Sequence, residues 1–307
     1  MFLYGPVLSR RLGYSLGVDV VKPKCCSLDC IYCQLGSQKA CKPKRSRFFP
    51  PEKIEKALDK KLKNIDKLDY ITFAGSGEPT LSKDLGRFIR FLKEKYPKYK
   101  VAVLTNSTLL HYDEVIEELL PCDLIVPSLD ATNQKQFGKI NRPHKDIRFE
   151  DLITGLQNLR QRFIGEIRLE VMIIKGVNDD DDSLQRFAEI AQKINPDSID
   201  INTPVRPPAE EWVEVPDSER IEKAENLLKA SIITRKAGDD RNFLNDNVDE
   251  LSNFILTLLE RRPETRETLA QITNLSLEVI DKHLIKLIAL DKIYKKLSGD
   301  KVFYIAK

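Results

Sequence analysis

The sequence contains no run of 18 uncharged apolar residues, and its first fifteen residues lack the basic, apolar and small-residue order of a secretory signal peptide. The first absence argues against a membrane-spanning helix, and the second leads us to expect a cytoplasmic protein with no membrane partner. No internal repeat of solenoid period is present. With 41% hydrophobic and 32% charged residues, the 307-residue chain has a globular composition, which excludes disordered and collagen-like classes. A length prior of about 150 residues per domain predicts two domains.

Cysteine is scarce and concentrated in one place. Five of the six cysteines (Cys25, Cys26, Cys30, Cys33 and Cys41) lie within 17 residues, and Cys122 stands apart. Six cysteines would suit three disulfides, but a reducing compartment makes a metal site the better interpretation of such a cluster.

Positive charge is concentrated in the same segment. Residues 1–50 carry nine Lys or Arg and two Asp, a net charge of +7, so the remaining 257 residues of this +3 chain sum to −4. This excess favours an anionic partner such as RNA or a phosphorylated metabolite, although lysine-rich loops also serve only to solvate a surface. The basic residues are Arg10, Arg11, Lys22, Lys24, Lys39, Lys42, Lys44, Arg45 and Arg47.

Short β-branched runs alternate with longer amphipathic stretches between residues 15 and 230, which predicts βα units and a parallel sheet. The predicted strands are residues 15–20, 70–74, 101–105, 124–128, 167–174 and 198–202. The predicted helices are residues 51–64, 83–96, 113–120, 149–162, 181–194 and 217–229. Right-handed crossovers would curl six such units into a partial (β/α)6 TIM-like barrel or leave an open twisted sheet, with ligands at the carboxyl ends of the strands.

The carboxyl-terminal part has a different pattern. We predict a core domain at 1–235, a polar linker at 236–248 and a second domain at 249–307. The last contains three predicted helices, the third capped by Ser276, and a hairpin that turns at Gly299, an order that resembles a winged helix. Its ten basic and nine acidic residues lack the one-sided excess of a nucleic-acid module, so we favour a module that contacts protein or substrate.

Three cysteines have the strongest spacing in the sequence. Cys26, Cys30 and Cys33 are separated by three and then two residues, just after the first predicted strand. Three thiolates can bind three irons of a 4Fe-4S cluster and leave the fourth iron open to another ligand. An all-thiolate zinc site that also uses Cys25 or Cys41, or buried inert cysteines, are the weaker alternatives.

This spacing, with Tyr32 before the last cysteine, resembles the signature of the radical SAM superfamily. The resemblance implies that S-adenosylmethionine (SAM) binds the open iron and is cleaved by one electron to methionine and a 5′-deoxyadenosyl radical. It also implies a one-electron donor such as ferredoxin or flavodoxin. The chain is then an enzyme, whose protein part orients both reactants and excludes water. No catalytic residue is identified by the sequence.

A second motif follows the predicted strand 70–74. The segment GSGEP, with Gly75, Gly77 and Glu78, is similar to the GGEP-like loop that contacts the SAM amino group in this superfamily, except that Ser76 replaces a glycine. Glycines also let a backbone approach a ligand closely.

Polar residues end several other predicted strands. By the same resemblance, Asn106, Ser128 and Asp130 are candidates for the SAM carboxylate and ribose hydroxyls, and Ile174 would pack on adenine. Asn, Ser and Asp also cap helices after strands, so a structural role competes. Lys175 is a candidate for a substrate carboxylate or carbonyl, although most lysines are solvated surface charges.

Several phrases, among them YGPVLSRRLGYSLGVDV, TFAGSGEPTL and IIKGVND, resemble the branch of wyosine-forming 4-demethylwyosine synthases, which modify tRNA. The chain lacks that branch's spaced upstream cysteines for a second cluster. We therefore expect a relative with another substrate, and RNA base modification is favoured over peptide or small-metabolite modification. The alternative of another class is an iron-sulfur redox sensor that binds DNA. Cys25, Cys41 and Cys122 could hold a second cluster only if the fold gathers them.

Overall fold

The computed structural model describes residues 2–9, 12–65, 67–233 and 248–307, with the side chains of 248–250 left aside. The strands in these ranges are β1 (Leu3–Ser9), β2 (Gly13–Val18), β3 (Tyr70–Phe73), β4 (Lys100–Thr105), β5 (Leu124–Pro127), β6 (Glu166–Met172), β7 (Ser198–Asn202), β8 (Ser231–Ile232), β9 (Ile293–Ser298) and β10 (Lys301–Ala306). The helices are α1 (Pro51–Leu62), α2 (Leu85–Lys95), α3 (Asp113–Leu119), α4 (Gln134–Ile140), α5 (Phe149–Arg162), α6 (Asp181–Ile194), α7 (Ser218–Leu228), α8 (Val248–Leu259), α9 (Arg266–Thr273) and α10 (Leu277–Ala289). None of these helices is both long and apolar enough to cross a membrane.

Strands β1 to β8 form one sheet in chain order. Strands β2 to β8 are parallel, and β1 runs antiparallel to β2. This confirms the predicted α/β class with a parallel sheet, and β2 to β7 are the six predicted strands. The sheet and its covering helices enclose the largest apolar cluster of the protein.

Two strands of this sheet and one helix beside it were not predicted from the sequence. Strand β1 contains Pro6, which cannot donate a ladder hydrogen bond and is tolerated because β1 is an edge strand. Strand β8 has only two residues, too few for a pattern. Helix α4 buries only Phe137 and Ile140, and its start is marked by Asn133, whose side chain accepts a hydrogen bond from the Gln136 amide.

The carboxyl-terminal unit consists of α8 to α10 and the β9–β10 hairpin, as the sequence analysis expected. Thr265 and Ser276 cap α9 and α10 through their side-chain oxygens. The small apolar core of this unit includes Val7 and is packed by Tyr4, both from β1, so the missed edge strand is the surface on which the unit docks. The linker predicted at 236–248 lies, except for its last residue, outside the described residues.

A buried ion pair also joins the two parts. The Asp19 carboxylate, just after β2, accepts a hydrogen bond from Nε of Arg261 at 2.7 Å, and another from the backbone amide of Ser76 at 2.9 Å. The side chains of Asp19 and Arg261 are only 7% and 8% exposed. Burial raises the pKa of Asp19, while Arg261 and Ser76 lower it. The charge is therefore tolerated only because its partners are in place.

We expect Arg261→Ala to lower the free energy of unfolding by about 3 kcal/mol, because it leaves a buried carboxylate without its counter-charge. Thermal or urea unfolding followed by circular dichroism measures this loss. The double substitution Asp19→Asn with Arg261→Ala should recover part of it, because the unpaired charge is removed. Arg266→Ala, at an exposed position of α9, is the matched control and should change stability by less than about 0.5 kcal/mol. A loss no larger than that of the control would contradict the argument.

Candidate functional site

The three cysteines of the spaced motif lie together in the loop that follows β2. Burial raises the pKa of the Cys26 thiol to about 12 and raises that of Cys33. Burial also raises the pKa of Cys30 well above its ordinary value, with further contributions from Asp130, Cys26 and Cys33. The thiols are thus close enough to oppose one another's ionisation. A ligand that binds thiolates would relieve this cost by displacing the protons.

Two amide side chains point at these sulfurs. Asn106 Nδ2 lies 3.4 Å from Sγ of Cys26, and Asn141 Nδ2 lies 3.4 Å from Sγ of Cys30. Donors to sulfur favour thiolate over thiol, and in iron-sulfur proteins they tune the cluster. The donor set therefore fits a group bound by three thiolates. Among the described residues, no three Cys, His, Asp or Glu side chains are arranged to hold a single metal ion.

Backbone hydrogen bonds hold the cysteine loop from several sides. The Cys41 amide donates to the Cys26 carbonyl at 2.7 Å, which folds the loop back on itself. The Ile31 amide donates to Ile140 at the end of α4, and the Glu78 amide donates to the Cys25 carbonyl, each at 2.9 Å. The cysteines are therefore positioned by residues far from them in sequence.

The glycines of the GSGEP loop are required by close packing. A Cβ on Gly75, whose φ is +133°, would lie 1.9 Å from Oδ1 of Asp19, and one on Gly77 would lie 2.2 Å from the Cys25 carbonyl oxygen. We expected these glycines to let the backbone approach a ligand. In the structure they let it approach Asp19 and the cysteine loop.

Glu78 is 2% exposed, and both of its oxygens accept hydrogen bonds within the protein. Oε1 accepts from the amide and hydroxyl of Thr80, at 3.0 and 2.5 Å, and from the Thr105 hydroxyl at 2.8 Å. Oε2 accepts from the Asn106 amide at 2.7 Å. Burial raises the pKa of Glu78, and these hydrogen bonds lower it by a smaller amount. The side chain predicted to contact SAM thus ties the end of β3 to the end of β4.

Asp130 is likewise used within the protein. Its Oδ2 accepts hydrogen bonds from the Tyr32 hydroxyl and, at 2.8 Å, from Nδ2 of Asn141. Its Oδ1 accepts from the Met172 amide at 3.1 Å. Asp130 therefore fixes Tyr32, next to Cys33, against the ends of β5 and β6.

The other predicted SAM contacts are placed differently. Ser128 is partly exposed, and its carbonyl accepts a hydrogen bond from the Ser107 hydroxyl at 2.8 Å. Ile174 is fully buried in a small apolar cluster with Ile31 and Val213. The predicted residues form two contacting groups. One contains Cys26, Asn106 and Glu78, and the other contains Cys30, Tyr32 and Asp130. The fold therefore brings these residues together at the carboxyl ends of the strands.

The basic residues of the amino-terminal segment divide into two sets. Arg45 is bound by Glu118 and Glu114, and Arg47 by Asp84. Lys22, Lys24, Lys39, Lys42 and Lys44 are exposed, and Arg10 and Arg11 lie outside the described residues. Lys175 pairs with Asp217 at 2.8 Å.

The three remaining cysteines are not gathered. Cys25 and Cys41 contact each other, and burial, followed by that contact, raises the pKa of Cys25. Cys122 is buried at the amino end of β5, where its amide donates to Leu119, whereas the cysteine loop follows the carboxyl end of β2. This arrangement provides no joint ligand set from the three.

A cavity of about 250 Å³ opens beside the cysteine loop. Cys30, Tyr32 and Cys33 line one side; the other residues include Glu170 of β6, Asn202 of β7, Arg206 and Arg262. The sequence analysis missed Glu170, Asn202 and Arg262. Glu170 could have been found, because it is a charged residue within a predicted buried strand. Nothing in the sequence linked Arg262 to the site, since it lies in the other predicted domain.

The family model described as the radical SAM superfamily matches residues 20–188. The chain belongs to the radical SAM superfamily. It is therefore an enzyme whose cofactors are a 4Fe-4S cluster and SAM, as the cysteine motif predicted. The matched residues include the cysteine loop and the GSGEP loop.

Two curated relatives span nearly the whole chain. A UPF0026 protein of Methanocaldococcus jannaschii is 32% identical over 98% of this chain and 95% of its own length. A protein of Brachyspira hyodysenteriae named GTPase Obg is 35% identical over 98% of this chain, but this chain spans only 45% of that protein. Among solved structures, TYW1 with a lysine-pyruvate adduct bound has a TM-score of 0.52 and 18% identity over 70% of this chain and 72% of its own, which indicates a shared fold.

We expect Glu78→Gln to lower the free energy of unfolding by about 2 kcal/mol. Each oxygen of the Glu78 carboxylate accepts a hydrogen bond from a backbone amide. In either orientation the glutamine NH2 group would therefore face a backbone N–H, and that hydrogen bond would be lost. Urea unfolding measures the loss. The exposed Glu222 provides the matched control, Glu222→Gln, which should change stability by less than about 0.5 kcal/mol. Equal stability of the two variants would contradict the role assigned to Glu78.

Proposed function

We propose that Cys26, Cys30 and Cys33 hold the 4Fe-4S cluster and that the enzyme abstracts a hydrogen atom from an anionic substrate, with an RNA base favoured. The single observation that carries the cluster assignment is the gathering of the three cysteines in one loop, with the Asn106 and Asn141 side-chain amides each 3.4 Å from one of their sulfurs. When bound, the cluster and SAM supply one-electron cleavage of SAM to methionine and a 5′-deoxyadenosyl radical, which takes the hydrogen atom.

The chain's own residues have separate tasks in this proposal. Asn106 and Asn141 donate N–H groups to the Cys26 and Cys30 sulfurs and stabilise their thiolates. The fully buried Ile31 and Ile140 exclude water from one side of the loop. Because the carboxylates of Glu78 and Asp130 already accept several hydrogen bonds, we assign SAM recognition here to the half-buried backbone of Gly75 and Gly77 and to polar groups of the cavity.

The remaining SAM contacts and the architecture are also part of the proposal. We retain Asn106 and Ser128, at the ends of β4 and β5, as contacts for SAM, and we propose that the fully buried Ile174 supports the adenine side of the site from behind. We propose that the parallel sheet curves into a partial (β/α)6 barrel and that the unit at 249–307, after a linker at 236–248, is a winged helix. This unit supports catalysis more than DNA binding, because its residue Arg262 lines the cavity beside the cysteines.

The substrate class follows from charge. Five exposed lysines lie in the segment around the cysteine loop, whereas the two described arginines there are bound by acidic residues. Exposed lysines attract phosphates, which favours RNA over a neutral metabolite. Peptide or small-metabolite modification is the alternative. A low-potential donor such as ferredoxin or flavodoxin would supply the electron.

We expect Cys30→Ala to abolish both the bound cluster and SAM cleavage, because two thiolates cannot retain a group that needs three. Iron per chain should fall from about four to below about one, measured in anaerobically reconstituted protein, and 5′-deoxyadenosine should disappear from reactions with dithionite and SAM. Cys122→Ala is the matched control, since Cys122 is buried at the other end of the sheet, and it should retain both. Full iron content in Cys30→Ala, or loss in both variants, would refute the ligand assignment.

We expect the triple variant Lys24→Ala, Lys42→Ala, Lys44→Ala to bind total tRNA more weakly than wild type, with a salt dependence less steep by about 2 in log K against log salt. Fluorescence anisotropy at several salt concentrations measures both. The control variant Lys282→Ala, Lys286→Ala, Lys292→Ala removes three exposed lysines of the carboxyl-terminal unit. Equal binding by wild type and the first variant, together with an unchanged tRNA nucleoside profile in a deletion strain, would eliminate the RNA substrate and favour the peptide or metabolite alternative.

A further inference from the structure

The segment after α8 reaches into the cavity beside the cysteine loop. Arg261 of this segment pairs with Asp19, and the next residue, Arg262, lines the cavity together with Cys30, Cys33 and Glu170. A side chain from the carboxyl-terminal unit therefore faces the same space as the proposed cluster ligands.

The guanidinium of Arg262 is incompletely satisfied. Its Nη2 is buried and donates no hydrogen bond to any acceptor among the described residues. Its Nε lies 2.7 Å from Oε1 of Glu264, but the N–H is not aligned for a hydrogen bond. A guanidinium has five N–H donors, and a buried donor without an acceptor costs about 1 to 3 kcal/mol or more when charged. Because the Arg262 side chain lines the cavity, an oxyanion bound there would supply the missing acceptor.

Glu264, the carboxylate paired with Arg262, does not supply the acceptor for Nη2. The Glu264 carboxylate is 3% exposed and is shared, because Nη2 of Arg206 also donates to its Oε1 at 2.8 Å. Two guanidiniums and one carboxylate leave a net positive charge. The Arg206 Nε donates to the Pro263 carbonyl at 3.0 Å, which fixes the group against the loop after β7. The trio is thus fixed in place, and both of its arginines line the cavity.

From this geometry we infer that Arg262 binds an oxyanion of the substrate, a phosphate or a carboxylate, in the cavity beside Cys30 and Cys33. A guanidinium matches these groups through paired, charge-assisted hydrogen bonds. This inference rests on the proposed function and deepens it, since it makes the carboxyl-terminal unit part of substrate recognition. In this inference Arg262 orients the substrate by its anionic group, and Glu170 lines the same cavity.

The test uses the anaerobically reconstituted holoenzyme and two probes, inorganic phosphate and sodium acetate, each titrated by isothermal calorimetry. We expect at least one probe to bind wild type, and Arg262→Gln to weaken that binding at least tenfold. Arg262→Lys should weaken it less, because it keeps the charge and loses the forked geometry. Arg266→Gln, an exposed arginine four residues away, is the matched control and should bind as wild type does. Thermal melting of each variant establishes that it is folded.

Several results would overturn the inference. These are the binding of neither probe to wild type, equal binding by Arg262→Gln, and an equal loss in Arg266→Gln. A third titrant, SAM, distinguishes a carboxylate of the substrate from the carboxylate of SAM. If Arg262→Gln lost SAM affinity while its phosphate and acetate binding stayed unchanged, Arg262 would be assigned to SAM and the substrate site would be overturned. The result of this binding test is independent of the SAM-cleavage test of the proposed function. If wild type released no 5′-deoxyadenosine yet bound phosphate through Arg262, the enzyme proposal would fail and the oxyanion site would stand.

Discussion

The buried carboxylate of Asp19 connects the three parts on which the site depends. Its Oδ1 accepts from the Ser76 amide in the glycine-rich loop, and its Oδ2 accepts from Arg261 in the carboxyl-terminal unit. Because desolvation opposes the charge, both partners are needed to hold it. The same contact requires glycine at position 75, since a Cβ there would collide with Oδ1 of Asp19. One charged group therefore sets the positions of the loop and the docked unit.

The acidic residues near the site show how a family motif and a structural role coincide. Glu78 and Asp130 follow the carboxyl ends of β3 and β5, where parallel-sheet enzymes place their ligand contacts, yet their oxygens accept hydrogen bonds from the strand ends and from Tyr32. Strand ends expose backbone N–H groups that must be satisfied when buried. A carboxylate serves this need well and keeps the loops around the cysteines rigid. This is why the proposed recognition of SAM is assigned to the loop backbone and to the cavity.

Much of the fold could be predicted from the sequence. Helices α5 and α6 begin and end at the predicted residues, because their apolar spacing runs without interruption, and an aspartate caps α6. Strand β1 could not be predicted, since Gly5 and Pro6 interrupt its pattern and only the docked unit explains why it is retained. The cysteine motif identified the family because its ligand spacing is local. The packing of Ile174 and the hydrogen bonds of Glu78 were beyond sequence reasoning, because their partners lie in other strands.

The sequence by itself determined the parallel α/β sheet and the family and singled out the three spaced cysteines, because each depends on spacings of two to four residues along the chain. Only the tertiary structure decided which carboxylates are engaged within the protein and which side chains face the cavity. Arg261 and Asp19 are 242 residues apart, and no periodicity relates them. Their contact depends on how the second unit docks on an edge strand. That docking brings Arg262 beside the cysteines, and it is set by burial and charge pairing across the whole fold.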